Sequence, residues 1–378
     1  MDLFAPIPGI PLHKDFQYLA EREDLGPVRD VINSWGVGLL DRRNEKEKFV
    51  KEFQTTFNSS FWELYLNKVF KELGMNVDYT KESPDFCVST PDGYVVNIEA
   101  VVADPPVITT QPIDKTHEDH QNSLDDDAFI DDCTIKLLGR LKSKLDLYKG
   151  VGGKKHPYSS LEHVKDNPFV IAIAPFNQQF SFSQNNISIN QVLFGIDRPR
   201  LNSDKNLVVT EKNSVIKPTG TKLELGIFTN DSFKEISAVI FSSTGMLGKA
   251  IVESGISSYI RATRYRQIYK YDFYKNEGTD NLGKKHHQLT PTHDVFSIRF
   301  IDGNFICGSD MHLCKSEEYR ESHVDGLHIY FNPYATIPLE PSFFDNYDIT
   351  HNFFNPELRE CIMEHHDQSL VSRQIIDY

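Results

Sequence analysis

The stretch Tyr94-Val95-Val96-Asn97-Ile98-Glu99-Ala100-Val101-Val102 constrains this chain most. Its β-branched residues fall on both parities, which specifies a strand buried on both faces. Glu99 in the middle of such a strand is costly unless its charge meets a cation or a metal. Just upstream, Pro91-Asp92-Gly93 reads as a turn whose glycine takes positive φ, and Pro84-Asp85-Phe86-Cys87-Val88 reads as a first strand. The turn centres on Asp92, with Asp85 seven residues before it and Glu99 seven after. That symmetry places the two carboxylates across the ladder from each other, where opposed Cβ atoms are about 5 Å apart. Two carboxylates so close repel unless a proton, a basic side chain or a cation lies between them. Carboxylate oxygens are also the donors that Mg²⁺ prefers. The plainer alternative is a pair of solvated strand-end residues.

Helices flank the hairpin. Asn58 suits a helix start and Gly74 a helix end, and Phe61, Tyr65, Val69 and Leu73 line one face between them. Glu63 lies on this helix. After the hairpin, residues 103–121 are rich in Pro and Thr and read as a loop. The acidic residues Asp125-Asp126-Asp127 and Asp131-Asp132 precede a second helix, where they suit its dipole. From Asp131 to Tyr148 its stripe is Leu137, Leu138, Leu141, Leu145 and Tyr148, and Lys144 borders that stripe. Gly150 to Lys155 is a flexible link without the spacing of a phosphate loop. Pro168 to Ala174 is a buried strand. The order is β-β-α-β, and a crossover through a helix implies at least one parallel pairing.

Pro84-Asp85 followed at a short interval by Glu99 resembles the motif of the PD-(D/E)XK nuclease superfamily, which has a restriction-endonuclease-like fold. The resemblance covers roughly residues 58–175. It implies an α/β core with a mixed central sheet, metal-dependent hydrolysis of DNA, and Mg²⁺ (or Mn²⁺) held by Glu63, Asp85 and Glu99. The chain departs from the motif at one point: the lysine position after Glu99 holds Val101. In this superfamily the lysine can migrate to the following helix. Lys144-x-x-x-Tyr148 is similar to the Gln-x-x-x-Tyr motif of the RecB-like branch, with Lys in the Gln position. The resemblance thus implies catalytic roles for Asp85, Glu99 and Lys144, and a substrate contact for Tyr148. The competing reading takes Lys136, Arg140 and Lys144 as one solvated basic face. A protein that kept the fold and lost the chemistry would bind nucleic acid or a protein partner, for instance in host defence; a homo-oligomer is equally open.

The rest of the chain sets limits. Its 378 residues suggest two domains or one large one. We expect a helical extension over 1–57, the nuclease-like core over 58–245 and a further α+β portion over 246–378. A net charge of −14 argues against broad nonspecific coating of nucleic acid. The N-terminus lacks the pattern of a signal peptide, no apolar run reaches the length of a membrane span, and five cysteines form no evident disulfide framework. A cytoplasmic protein is the expectation. Arg261, Arg264, Arg266 and Lys270 alternate with Tyr259, Tyr265, Tyr269, Tyr271 and Tyr274, the pairing that nucleic-acid surfaces use. An ordinary solvated strand surface would look the same. Phe180, Phe182, Ile187, Ile189, Val192 and Phe194 suggest hairpins or an irregular cap, Glu235 to Ser243 and Leu327 to Phe331 suggest strands, and the tail from His351 has helical composition. Neither a Gly-x-Ser-x-Gly elbow nor a His-Glu-x-x-His helix is present.

Overall fold

The computed structural model describes residues 2–41, 46–103, 127–152, 156–176, 185–198, 200–201, 203, 207–266, 295–301, 304–366 and 368–376. Three helices open the chain, α1 (Lys14–Glu21), α2 (Gly26–Trp35) and α3 (Lys46–Thr55), followed by the longer α4 (Phe57–Glu72). Gly74 ends α4 in the left-handed region, with φ 69°. Then come β1 (Asn76–Val77), β2 (Phe86–Ser89) and β3 (Val95–Val102). Gly93, at φ 93°, turns the chain between β2 and β3. The helix α5 (Asp127–Lys149) leads to β4 (Phe169–Ala174). This is the expected β-β-α-β order, and β3 and β4 pair in parallel.

Residues 187–194 depart from expectation. They form a helix, α6 (Ile187–Phe194), closed by Gly195 at φ 67°. Short apolar runs carry no clear period, so packing decides between helix and strand. Two small ribbons follow, β5 (Arg200–Leu201) with β6 (Leu207–Val208) and β7 (Ser214–Ile216) with β8 (Lys222–Glu224). Next are β9 (Ala238–Phe241), α7 (Gly248–Ser254), β10 (Tyr259–Arg266), β11 (Val295–Ile301), β12 (Asn304–Lys315) and β13 (His328–Phe331). The tail from His351 is not helical. It holds β14 (Thr350–Asn355), β15 (Glu360–Glu364) and β16 (Leu370–Ile376). Its apolar residues alternate, Phe354 buried and Phe353 less so, which is the period of a strand.

The protein is α/β, with a mixed eight-stranded sheet in the order β1-β2-β3-β4-β9-β13-β14-β15. A four-stranded sheet, β11-β12-β10-β16, stands beside it. The boundary expected at 245 falls between β9 and β13, which pair antiparallel within the large sheet. The N-terminal helices share its core too: Leu3, Phe16 and Trp35 pack in one cluster with Phe61, Val96 and Ile98. That cluster covers one face of the large sheet. The other face carries α5 and α6, through Leu137, Leu141, Leu145, Ile189 and Val192, packed on Val101, Ile171 and Val239. Both faces of β3 and β4 are therefore covered, as their apolar density requires.

Candidate active site

The hairpin places the first two carboxylates. Phe86 pairs with Ile98 and Cys87 with Asn97, so one further step brings Asp85 opposite Glu99. Phe86, Val88, Val96 and Ile98 face the N-terminal helices. Asp85 and Glu99 alternate with them and face α5. Asp85 sits just before β2, and its Oδ2 accepts a hydrogen bond from the Ala100 backbone N–H at 2.7 Å. That bond fixes the carboxylate against β3, one residue from Glu99. Glu99 itself is only 2 % exposed.

The cation that such a buried carboxylate demands comes from α5. Lys144 Nζ donates to Glu99 Oε1 at 2.5 Å. Leu141, Leu145 and Tyr148 are buried in the layer beneath α5, and Lys144 stands at the border of that stripe, while Lys142 on the same helix is exposed. The basic residues at spacings of four do not share one solvated face: Lys136 is paired with Asp132, Arg140 is exposed, and Lys144 turns inward. Asp131 and Asp127 are likewise paired, with Lys212 and Arg198.

Sequence reasoning missed a further member, Tyr158. It lies in the short 3₁₀ turn Tyr158–Ser160 ahead of β4. Burial, followed by the charges of Glu99 and Asp85, pushes its hydroxyl pKa well up. No spacing or motif ties residue 158 to residue 99, since only the packing of the segment on β4 brings them together.

One feature of this cluster is unusual for a buried site. Glu99 Oε2 is buried and accepts no hydrogen bond. Two residues earlier on the same face of β3, Asn97 Oδ1 is in the same condition. Leaving such an acceptor unmade costs about 1–3 kcal/mol. An unmet carboxylate oxygen beside a second carboxylate suits a hard cation, because Mg²⁺ is commonly held by one or two carboxylates, with waters and substrate oxygens completing its shell. Asp85 and Glu99 fit that two-carboxylate pattern. Among the described residues, no group of three or more His, Cys, Asp or Glu side chains is arranged to hold a metal ion. Glu63 thus does not join them in such a group. It is half-buried on α4, whose apolar residues pack on the other face of the sheet.

The expected substrate contacts divide. Tyr148 is buried, with its ring centroid 4.7 Å from that of Phe169, and serves the apolar layer under α5. Arg264 donates to Asp325 Oδ2 and to the Gln368 carbonyl, each at 2.7 Å, and lies over the Tyr319 ring. These contacts commit the guanidinium to the surrounding fold. Arg261 is exposed on β10. The Arg266 side chain, and Lys270, Tyr269, Tyr271 and Tyr274 entirely, lie outside the described residues.

A cavity of about 630 Å³ exists elsewhere, lined by Phe194, Arg198, Phe354 and Met363 among others at the β15 end of the sheet. It contains none of the site residues, and no side chain lining it has a buried polar atom left unpaired. Chemistry rather than volume therefore marks the site at Glu99. No family model matches the chain, and no curated protein or solved structure matches it significantly.

Proposed function

We propose that this protein is a metal-dependent nuclease that hydrolyses DNA phosphodiester bonds, on a restriction-endonuclease-like core built from β2, β3, α5 and β4. The observation that carries the reading is the Lys144–Glu99 contact at 2.5 Å, made on the face of the hairpin that Asp85 shares. A lysine absent from the strand position at Val101 is supplied from the helix, next to the carboxylate it has to serve. Asp85 and Glu99 would hold Mg²⁺ or Mn²⁺. Such an ion, when bound, acidifies a coordinated water and offsets charge on phosphate oxygens.

The chain's own groups account for the rest. The Ala100 N–H restrains Asp85 against β3. Lys144 is a preorganised cation that orients the attacking water and offsets charge developing on the phosphate. Its side chain is 23 % exposed, so its amine can reach a substrate as well as Glu99. The apolar packing of α5 on Ile171 and Val101 keeps bulk water from the buried side of the pair. None of the helices among the described residues is long and apolar enough to cross a bilayer.

The test is incubation of the purified protein with plasmid, linear and single-stranded DNA in Mg²⁺ or Mn²⁺. Cleavage by the wild type, lost in Asp85→Ala and in Glu99→Gln, is the expected result. Absence of cleavage by the wild type with either metal would sink the proposal in favour of a non-catalytic protein that binds nucleic acid or a protein partner.

A further inference from the structure

Among the described residues, the last strand of the large sheet pairs on one side only: β15 joins β14 and no strand beyond it. An unpaired strand edge presents a row of N–H and C=O groups that another strand can extend. All five residues of β15, Glu360 to Glu364, are exposed. Register with β14 sorts their side chains onto two faces. Cys361 and Met363 lie opposite Phe354 and Asn352, on the face that α6 covers. Glu360, Ile362 and Glu364 lie opposite Asn355, Phe353 and His351, on the other face.

The cavity of about 630 Å³ stands over the first of these faces. Phe354, Cys361 and Met363 line it from the sheet, Ile187 and Phe194 from α6, and Val209 from the segment after β6. Val209, Ile362 and Met363 are exposed large apolar side chains, and so is Leu358 in the turn that enters β15. Exposed apolar residues scattered singly need no explanation, but a group of them beside a cavity marks an interaction surface.

Charge decides what such an edge accepts. On the outer face Ile362 stands between two carboxylates, Glu360 and Glu364. Arg359 just before them is already paired with Glu211. A second copy of this chain pairing antiparallel about Ile362 would set Glu360 against Glu364 twice, and like charges directly opposite are destabilising. A basic strand meets the opposite condition.

We propose that β15 and the cavity beside it are the docking site for an extended, basic segment of a partner protein, which adds to the large sheet as a further strand. Apolar residues of one parity enter the cavity, and basic residues of the other parity face Glu360 and Glu364. Main-chain hydrogen bonds supply affinity in this mode, and the pocket for alternate side chains supplies specificity. The site contains none of the residues around Glu99, so it stands whether or not the protein cleaves DNA.

The experiment measures fluorescence anisotropy of the labelled peptide Val-Lys-Leu-Val-Leu-Lys-Val with the full chain. Saturable binding by the wild type is expected, and its absence would overturn the proposal. Two further peptides carry N-methyl groups on alternate residues, one set on each edge. One of them should bind about tenfold weaker, through loss of its hydrogen bonds to β15, and the other like the parent. Equal binding of the two would show that no strand is added. The double variant Glu360→Lys with Glu364→Lys should reject this peptide and bind Val-Glu-Leu-Val-Leu-Glu-Val instead. Glu23→Lys with Glu47→Lys makes the same change of charge at exposed positions near the N-terminus, and should bind like the wild type. Equal weakening by the two double variants would reduce the binding to general attraction between opposite charges and refute the site. A wild type that self-associates in sedimentation, and becomes monomeric in Ile362→Lys, would give the edge to a second copy and overturn the basic partner.

Discussion

Two buried glutamates in this protein each meet a lysine, and they are treated in opposite ways. Glu321 belongs to a cluster that joins α7 and the four-stranded sheet to the loop before β13. Its Oε1 accepts from Arg373 at 2.6 Å and faces Lys249 at 3.5 Å, and its Oε2 accepts from the Tyr319 hydroxyl at 2.5 Å. Lys249 also donates to the Ser322 and Asp325 carbonyls, each at 2.7 Å. Burial alone would raise the Glu321 pKa, but Arg373 and Lys249 outweigh it and hold the value down at about 2. Asp325 next to it is bonded by Arg264 and by the Leu370 N–H. Nothing on Glu321 is left over. Glu99, whose side chain is 3 % exposed against 2 % for that of Glu321, has one oxygen on Lys144 and the other unmet. A saturated buried charge is architecture. Glu99 keeps one carboxylate oxygen buried without a hydrogen bond, at a cost of about 1–3 kcal/mol.

The contrast can be broken most directly through stability. Glu321→Ala leaves Arg373 and Lys249 buried without their anion, which should lower the unfolding free energy by about 3–5 kcal/mol. Glu99→Gln leaves Lys144, part-exposed, free to turn to water, so its cost should be about 1 kcal/mol or less. Urea unfolding of both variants measures the difference, and equal losses would erase the distinction drawn between the two sites. Lys144 sharpens it from the functional side. Lys144→Ala should cut DNA cleavage by about 10²–10³-fold in Mg²⁺, as removal of one preorganised transition-state donor does. Lys142→Ala, one helix position pair away and exposed, should leave cleavage unchanged. If both variants cleave like the wild type, the lysine does not act from α5.

A smaller effect concerns pH. His323 Nδ1 lies 2.6 Å from Glu72 and its Nε2 lies 2.9 Å from Glu253, so the ring must be protonated to donate to both. Burial lowers its pKa, but the bonds to Glu253 and Glu72 and their charges prevail and raise it. A folded-state pKa above the unfolded value means that the clip contributes fully below the ordinary histidine value of about 6.5. The contribution then fades as pH rises through the higher folded value. Glu253, held at about 2 against burial by His323 and Trp35, loses its share only as pH falls toward that value. His323→Gln should therefore destabilise the protein at mildly acidic pH and converge with the wild type at alkaline pH. A variant deficit that stays constant over this range would show that His323 is not charged in the fold.

The smallest effect separates Arg261 from Arg264. Arg264 belongs to the saturated cluster, whereas Arg261 is exposed. Arg261→Ala should reduce DNA affinity without loss of stability, and lower the salt dependence of binding by about one phosphate contact. Unchanged salt dependence would remove β10 from the proposed DNA surface.

The sequence by itself determined the hairpin and its register. The length and type of the turn at Asp92-Gly93 fix the register of the hairpin, and that register sets Asp85 against Glu99. It also determined that Lys144 would border the buried stripe of α5, because helical period is local. It misled where period was weak, at residues 187–194, and in the tail from His351, where composition hid alternation. Tertiary structure alone decided the rest. The Glu321 cluster gathers residues 249, 264, 319, 325 and 373. Such groups meet only after distant segments have packed. Whether a buried carboxylate ends saturated or keeps an oxygen unmet depends on how many donors that packing delivers, and no local pattern in the chain records the number.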